Sequence, residues 1–175
     1  PDSITEEKLK VIKNHDITRI SINPQSMQQK TLDVIGRKHT VEEIKEAYAL
    51  ARKTGFDNIN MDIIAGLPGE DISDMEDTLA QIAQMHPDSL TVHSLAIKRA
   101  ARMEMEDLHR DAKETHEILS GMIERAAKAA KEMDLFPYYL YRQKNMAGNF
   151  ENDGYAKVDK AGIYNILIME EKQSI

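Results

Sequence analysis

Hydrophobic positions along this 175-residue chain recur with two periods, and the switching between them lays out the elements. Residues 3–14 read as a short helix: Thr5 caps it, Glu6 and Glu7 sit in its first turn, and Ile4 staples onto Leu9. Residues 17–26 alternate as a strand ending at Asn23-Pro24, and residues 27–36 form a short helix closed by Gly36. Thr40-x-x-Glu43 is a capping box; it opens a helix with the stripe Ile44, Ala47, Tyr48 and Ala51 and a stop at Gly55. The stretch NINMDIIAGLPGE, residues 58–70, reads as a strand running into a Gly66-Leu67-Pro68-Gly69 loop. A second capping box, Ser73-x-x-Glu76, starts a helix with Met75, Leu79, Ile82 and Ala83 on one face. Residues 89–95 form a third strand. A charged segment over 98–113 leads into a long helix over 113–133, striped by Leu119, Met122, Ile123, Ala126, Ala130 and Met133. PYYLYR (137–142) is a short strand and GIYNILIM (162–169) a stronger one.

Strands separated by helices at this spacing are βαβ units, which build parallel sheets. Each of the first three strands has one apolar and one polar face. Ile20 and Ile22 oppose Arg19, Ser21, Asn23 and Gln25; Ile59, Met61 and Ile63 oppose Asn58, Asn60 and Asp62; Leu90 and Val92 oppose Thr91 and His93. A half-exposed antiparallel sheet would also have a polar face, but its connections would not be long and helical. A doubly wound sheet would carry helices on both faces and be apolar on both. A sheet curved into an open, partial barrel accommodates the pattern: helices cover the outside, and the polar side chains line an interior that needs water or a polar ligand. Asp62 then faces the interior near the C-terminal end of its strand, where binding residues of βα barrels collect.

Composition narrows the partners. With 41% hydrophobic and 30% charged residues the chain is of the globular class, long enough for one real core but short of the roughly 200 residues of a complete βα barrel. A net charge of −7 argues against nucleic acid and anionic membranes as partners. No apolar run approaches the roughly 20 residues of a membrane span, and no targeting segment is visible, so a cytoplasmic protein is expected. There is no cysteine, which excludes disulfides and thiolate-held metals within the chain. The histidines at 15, 39, 86, 93, 109 and 116 lack ligand spacing and read as surface or loop residues, so no metal site is expected. The first residue, Pro1, points to a processed chain or a piece of a longer one.

The motifs RISINPQS, IGRKHT and NINMDIIAGLPGE together closely resemble the central part of the radical S-adenosylmethionine enzymes of the oxygen-independent coproporphyrinogen III oxidase (coproporphyrinogen dehydrogenase) family. The later YYLYRQKNMAGNFENDGYAK and YNILIMEEKQ resemble a variant branch of it, so the likeness covers nearly the whole chain. It implies an α/β fold, the C-terminal part of a partial (β/α)6 TIM-like barrel with parallel strands. Residues 1–135 would supply the later half of that barrel, and 136–175 the start of the region after it. By the same resemblance Gln25, Arg37, Asp62 and Ala96 match positions that contact S-adenosylmethionine, Ala96 through its backbone. Arg37 read without it is equally a surface arginine, and Asp62 could be a structural polar group. Asn23 stands where the family commonly has glycine. The family's 4Fe-4S cluster needs a three-cysteine run, and with no cysteine here the resemblance implies a fragment, inactive alone, lacking the N-terminal cluster-binding part. The full enzyme, as the resemblance implies, uses the cluster and S-adenosylmethionine to convert propionates of coproporphyrinogen III into vinyl groups in porphyrin and haem biosynthesis.

The polar, aromatic run over 138–155 is a candidate loop for a porphyrinogen-type substrate, with Arg142 and Lys144 placed to neutralise propionates; it reads equally as an ordinary surface loop. Two other functions stay open. One is a non-catalytic ligand-binding or haem-handling module, which could self-associate through truncated sheet edges. The other is a metal-free enzyme with Asp62 as general base and His93 as its partner acid.

Overall fold

A computed structural model of the protein describes residues 3–95, 112–141 and 152–169. Along the chain run α1 (Glu6–Asn14), β1 (Ile20–Gln25), α2 (Gln29–Val34), α3 (Val41–Lys53), β2 (Ile59–Ala65), α4 (Ile72–Met85) and β3 (Ser89–Ser94). They are followed by α5 (Ala112–Glu132), β4 (Phe136–Tyr141), β5 (Asn152–Ala156) and α6 (Ile163–Met169). The five strands form one sheet in the order β1-β2-β3-β5-β4. β1, β2 and β3 are parallel neighbours, as the βαβ pattern predicts. β5 and β4 extend the sheet antiparallel to them, which the pattern did not announce. The expected boundary between residues 135 and 136 falls where α5 turns into β4, and the sheet continues across it.

The core lies on the helix side of the sheet. Ile22, Met61, Ile63, Leu90 and Val92 are buried there with Ile44, Tyr48 and Ala51 of α3, Met75, Leu79 and Ile82 of α4, and Met122, Ala126 and Ala130 of α5. The predicted stripes of α3 and α5 are therefore the packing faces. Thr40 and Glu43 complete the expected capping box. In α4 the cap differs from expectation. Asp71, not Ser73, is the N-cap, and Asp74, not Glu76, closes the box, because the Asp71 carboxylate reaches the amides of both Ser73 and Asp74. Both pairs fit the spacing rule, and the helix takes the earlier start.

Two expectations about the C-terminal part are overturned. Residues 162–169 do not make a strand: α6 covers 163–169. Short apolar runs fit either element, and here docking against β4 decides, with Asn165 Nδ2 donating to the Tyr138 hydroxyl at 3.0 Å. The run over 138–155 is not one loop, since its ends belong to β4 and β5. Its middle, including Arg142 and Lys144, lies outside the described residues.

Candidate functional site

The polar face is assembled by register. Ser21, Asn60 and Ser89 stand abreast across β1, β2 and β3, and Asp62, Thr91, Gly154 and Tyr139 form the next row across β2, β3, β5 and β4. Tyr139 folds its ring over Gly154. A Cβ at residue 154 would collide with ring atoms Cε1 and Cδ1, so only glycine admits this approach. Burial pushes the Tyr139 phenol pKa up; the Thr91 hydroxyl beside it opposes this, and the Asp62 charge adds to it.

At the centre of this face Asn60 is buried and uses both ends of its amide. Nδ2 donates to Asp62 Oδ1 at 2.5 Å and to Ser21 Oγ at 3.3 Å, while Oδ1 accepts from Thr91 Oγ1 at 3.2 Å. Asp62 is half-buried. It is the fourth of the seven residues of β2, so it lies at mid-strand and not near the C-terminal end as expected. Its register partner on β3 is Thr91, while His93 stands opposite Ile64. The pairing of Asp62 with His93 as base and acid therefore has no support in the register. Below this row Arg19 Nη2 donates to Ser89 Oγ at 3.2 Å, closing the face where the parallel strands begin.

Gln25 does not share the row of Asp62. Strict alternation would put it on the face of Ser21, but β1 carries an irregularity between Ile22 and Gln25, and Gln25 falls opposite Ile63. Its backbone is left-handed, φ 69°, an uncommon state for a residue with a side chain. Gln25 Oε1 accepts from Arg37 Nη2 at 2.6 Å, so two of the expected residues do meet. That single bond leaves the Gln25 amide N–H groups and most of the Arg37 fork as donors, a set suited to a carboxylate.

The loop after β1 is fastened from behind. Ser26 Oγ donates to Glu70 Oε1 at 2.5 Å, the Met27 amide donates to Thr78 Oγ1 at 3.2 Å, and Lys30 pairs with Asp74 at 2.7 Å. Glu70 is buried, and burial raises its pKa against the lowering influence of Ser26 and Thr31. Gly66 and Gly69 have φ of 85° and 78°, and a Cβ on Gly66 would press to 3.2 Å from Leu119 Cδ1. Turn geometry and α5 packing thus account for Gly66 without a ligand. Neither Ser26 nor Glu70 stands out in the sequence as a site residue, because loop residues have no period to reveal which way they point. Asn60 carried a weak signal, two positions before Asp62 on the same strand face.

At the start of β3 lies a second polar cluster. Asp88 is bound by Arg52 at 2.6 Å, by Lys157 at 3.1 Å and by the Ile59 amide at 2.9 Å. Burial alone would raise the Asp88 pKa, but these partners outweigh it and hold it below the ordinary carboxylate value. A hollow of ≈ 590 Å³ opens beside it, lined in part by His86, Lys160 and Asp57, and Lys160 pairs with Asp57 at 3.0 Å.

Ala96 lies outside the described residues. Among the described residues no group of three or more His, Asp or Glu side chains could hold a metal ion, and the chain has no cysteine. These residues do not fit an iron–sulfur cluster. They do fit a polar organic ligand: Asp62 Oδ2 has no hydrogen-bond partner among the described residues, and the donors of Gln25 and Arg37 are left over. No helix among the described residues is long and apolar enough to cross a membrane.

Comparison with known proteins gives a consistent set of likenesses. Residues 1–82 match the Radical SAM superfamily. The chain is 51% identical over 175 residues to the oxygen-independent coproporphyrinogen-III oxidase-like protein HemZ of Bacillus subtilis, covering 100% of this chain and 35% of HemZ. It is 31% identical over 98 residues to the heme chaperone HemW of the same organism, covering 56% of this chain and 26% of HemW. Its fold matches Escherichia coli coproporphyrinogen III oxidase HemN, a radical SAM enzyme, with a TM-score of 0.70 at 19% identity, over 96% of this chain and 36% of HemN. The chain thus spans about a third or less of each of these relatives.

Proposed function

Since the chain belongs to the radical SAM superfamily, among the oxygen-independent coproporphyrinogen-III-oxidase-like proteins, we propose that Gln25, Arg37, Asp62 and the backbone of Ala96 hold S-adenosylmethionine. The observation that carries this reading is the Gln25–Arg37 pair, held on a left-handed backbone at the end of β1, with an Asp62 oxygen left over on the neighbouring strand. The ligand has complementary groups: a carboxylate for Arg37 and Gln25, and an amine and ribose hydroxyls for Asp62. S-adenosylmethionine, when bound, supplies the radical chemistry for which the superfamily is named. The cluster that works with it would be held by residues other than those of this chain. For the whole protein we propose oxidative decarboxylation of coproporphyrinogen III propionates, with Arg142 and Lys144 as propionate partners. In this reading residues 1–135 are the later half of the barrel and 136–175 open the region beyond it.

Calorimetric titration of S-adenosylmethionine into the full-length protein tests the site. Asp62→Asn is expected to weaken binding by about tenfold or more, the scale of one hydrogen bond to a charged group. Unchanged affinity would defeat the assignment. The likeness to a heme chaperone favours one second reading, a haem-handling protein that binds S-adenosylmethionine without oxidising porphyrinogen. Turnover of coproporphyrinogen III by the reduced full-length protein separates the two: product supports the oxidase, while tight haem binding without product supports the carrier.

A further inference from the structure

We propose that Asn60 is a positioning residue, setting the Asp62 carboxylate for ligand through a hydrogen-bonded line that begins at Thr91; this rests on the reading of Asp62 given above.

The geometry leaves Asn60 little choice. It is buried, and a buried amide must spend its donors and acceptor on protein groups. Its carbonyl end takes the Thr91 hydroxyl at 3.2 Å, which turns its amino end toward Asp62 at 2.5 Å. The opposite flip would set a carbonyl oxygen against a carboxylate oxygen and is repulsive. Thr91 is itself buried, two strands from the edge, beneath the Tyr139 ring that Gly154 admits. The orientation of Asp62 is thus fixed from the middle of the sheet rather than by Asp62 itself. Oδ1 is occupied by Asn60, and Oδ2 is the oxygen left for a ligand. Among the described residues Arg19, His93, Tyr138 and Tyr139 are further charged or titratable groups on or beside this face, and none of them donates to Asp62.

The test is a double-mutant cycle in the full-length protein, read as the dissociation constant of S-adenosylhomocysteine. Asn60→Ala is expected to weaken binding about tenfold in the wild-type background and by less than about twofold on top of Asp62→Asn, because its whole effect passes through Asp62. Asn60→Asp keeps the volume but replaces the donor to Asp62 with an acceptor, so at pH 8 it should weaken binding at least as much as Asn60→Ala. Thr91→Val removes only the hydroxyl and should cost about threefold, which keeps the proposal testable if Asn60→Ala does not fold. Equal losses from Asn60→Ala in both backgrounds, or none in either while Asp62→Asn weakens binding, would overturn the positioning role alone. Wild-type affinity in Asp62→Asn would instead overturn the reading of the site on which it rests.

Discussion

Asp88 and Asp62 are both carboxylates on or beside the central parallel strands, and they are treated in opposite ways. Asp88, 5% exposed, meets two cations and a backbone amide, so the charge of its carboxylate is answered from within the protein. Asp62 meets one neutral amide, and one of its oxygens is left over among the described residues. The hollow beside Asp88 is the more highly charged of the two places, yet its charges are paired off. Charge density therefore does not mark the candidate site in this fold; an incomplete polar network does. The start of β3 is closed by its own ions, while the mid-strand row around Asp62 keeps one carboxylate oxygen unused among the described residues.

Breaking the closed cluster should have the largest effect. Asp88→Asn leaves Arg52 and Lys157 without their anion and should cost roughly 3 kcal/mol in urea unfolding, at the low end for a buried pair because both cations keep water contact. Because the folded-state pKa of Asp88 is lowered, its contribution is present above the unfolded carboxylate pKa and is lost as pH falls through the folded value. The variant should lack that acid loss, while its ligand affinity stays unchanged. Next, Gly154→Ala pushes the Tyr139 ring off β5 and should cost about 2 kcal/mol by overpacking, with a blue-shifted or more solvent-accessible tyrosine signal. A stability loss without any change in tyrosine exposure would show that the ring does not lie over residue 154.

Asp71→Ala removes the acceptor of two helix-start amides and should cost about 1 kcal/mol; Ser73→Ala should cost less. The smallest effect is expected of Glu70→Gln, which keeps an acceptor for Ser26, at within about 1 kcal/mol near neutral pH. Its sign with pH is opposite to that of Asp88. The pKa of Glu70 is raised in the fold, so its contribution is full below the unfolded carboxylate pKa and is lost as pH rises through the folded value. Stability curves against pH should flatten on the acid side for Asp88→Asn and toward neutral pH for Glu70→Gln.

By itself the sequence determined the elements whose period is long and whose caps are local. The stripes of α3 and α5, the capping box at Thr40, and the parallel order of three strands with one polar face each come from side-chain spacing, since spacing fixes which residues share a face. It also carried the family motifs that single out Gln25, Arg37 and Asp62. Only tertiary structure decided the rest. Residues 162–169 became a helix because they dock on β4, and β5 formed because a short Gly-containing segment found β3 and β4 as partners. Gln25 met Arg37 through an irregular strand end that no alternation rule foresees, and Asn60 came between Thr91 and Asp62 because the register of β2 and β3 set them abreast. Pairing and register are relations between distant segments, so periodicity within one segment does not contain them.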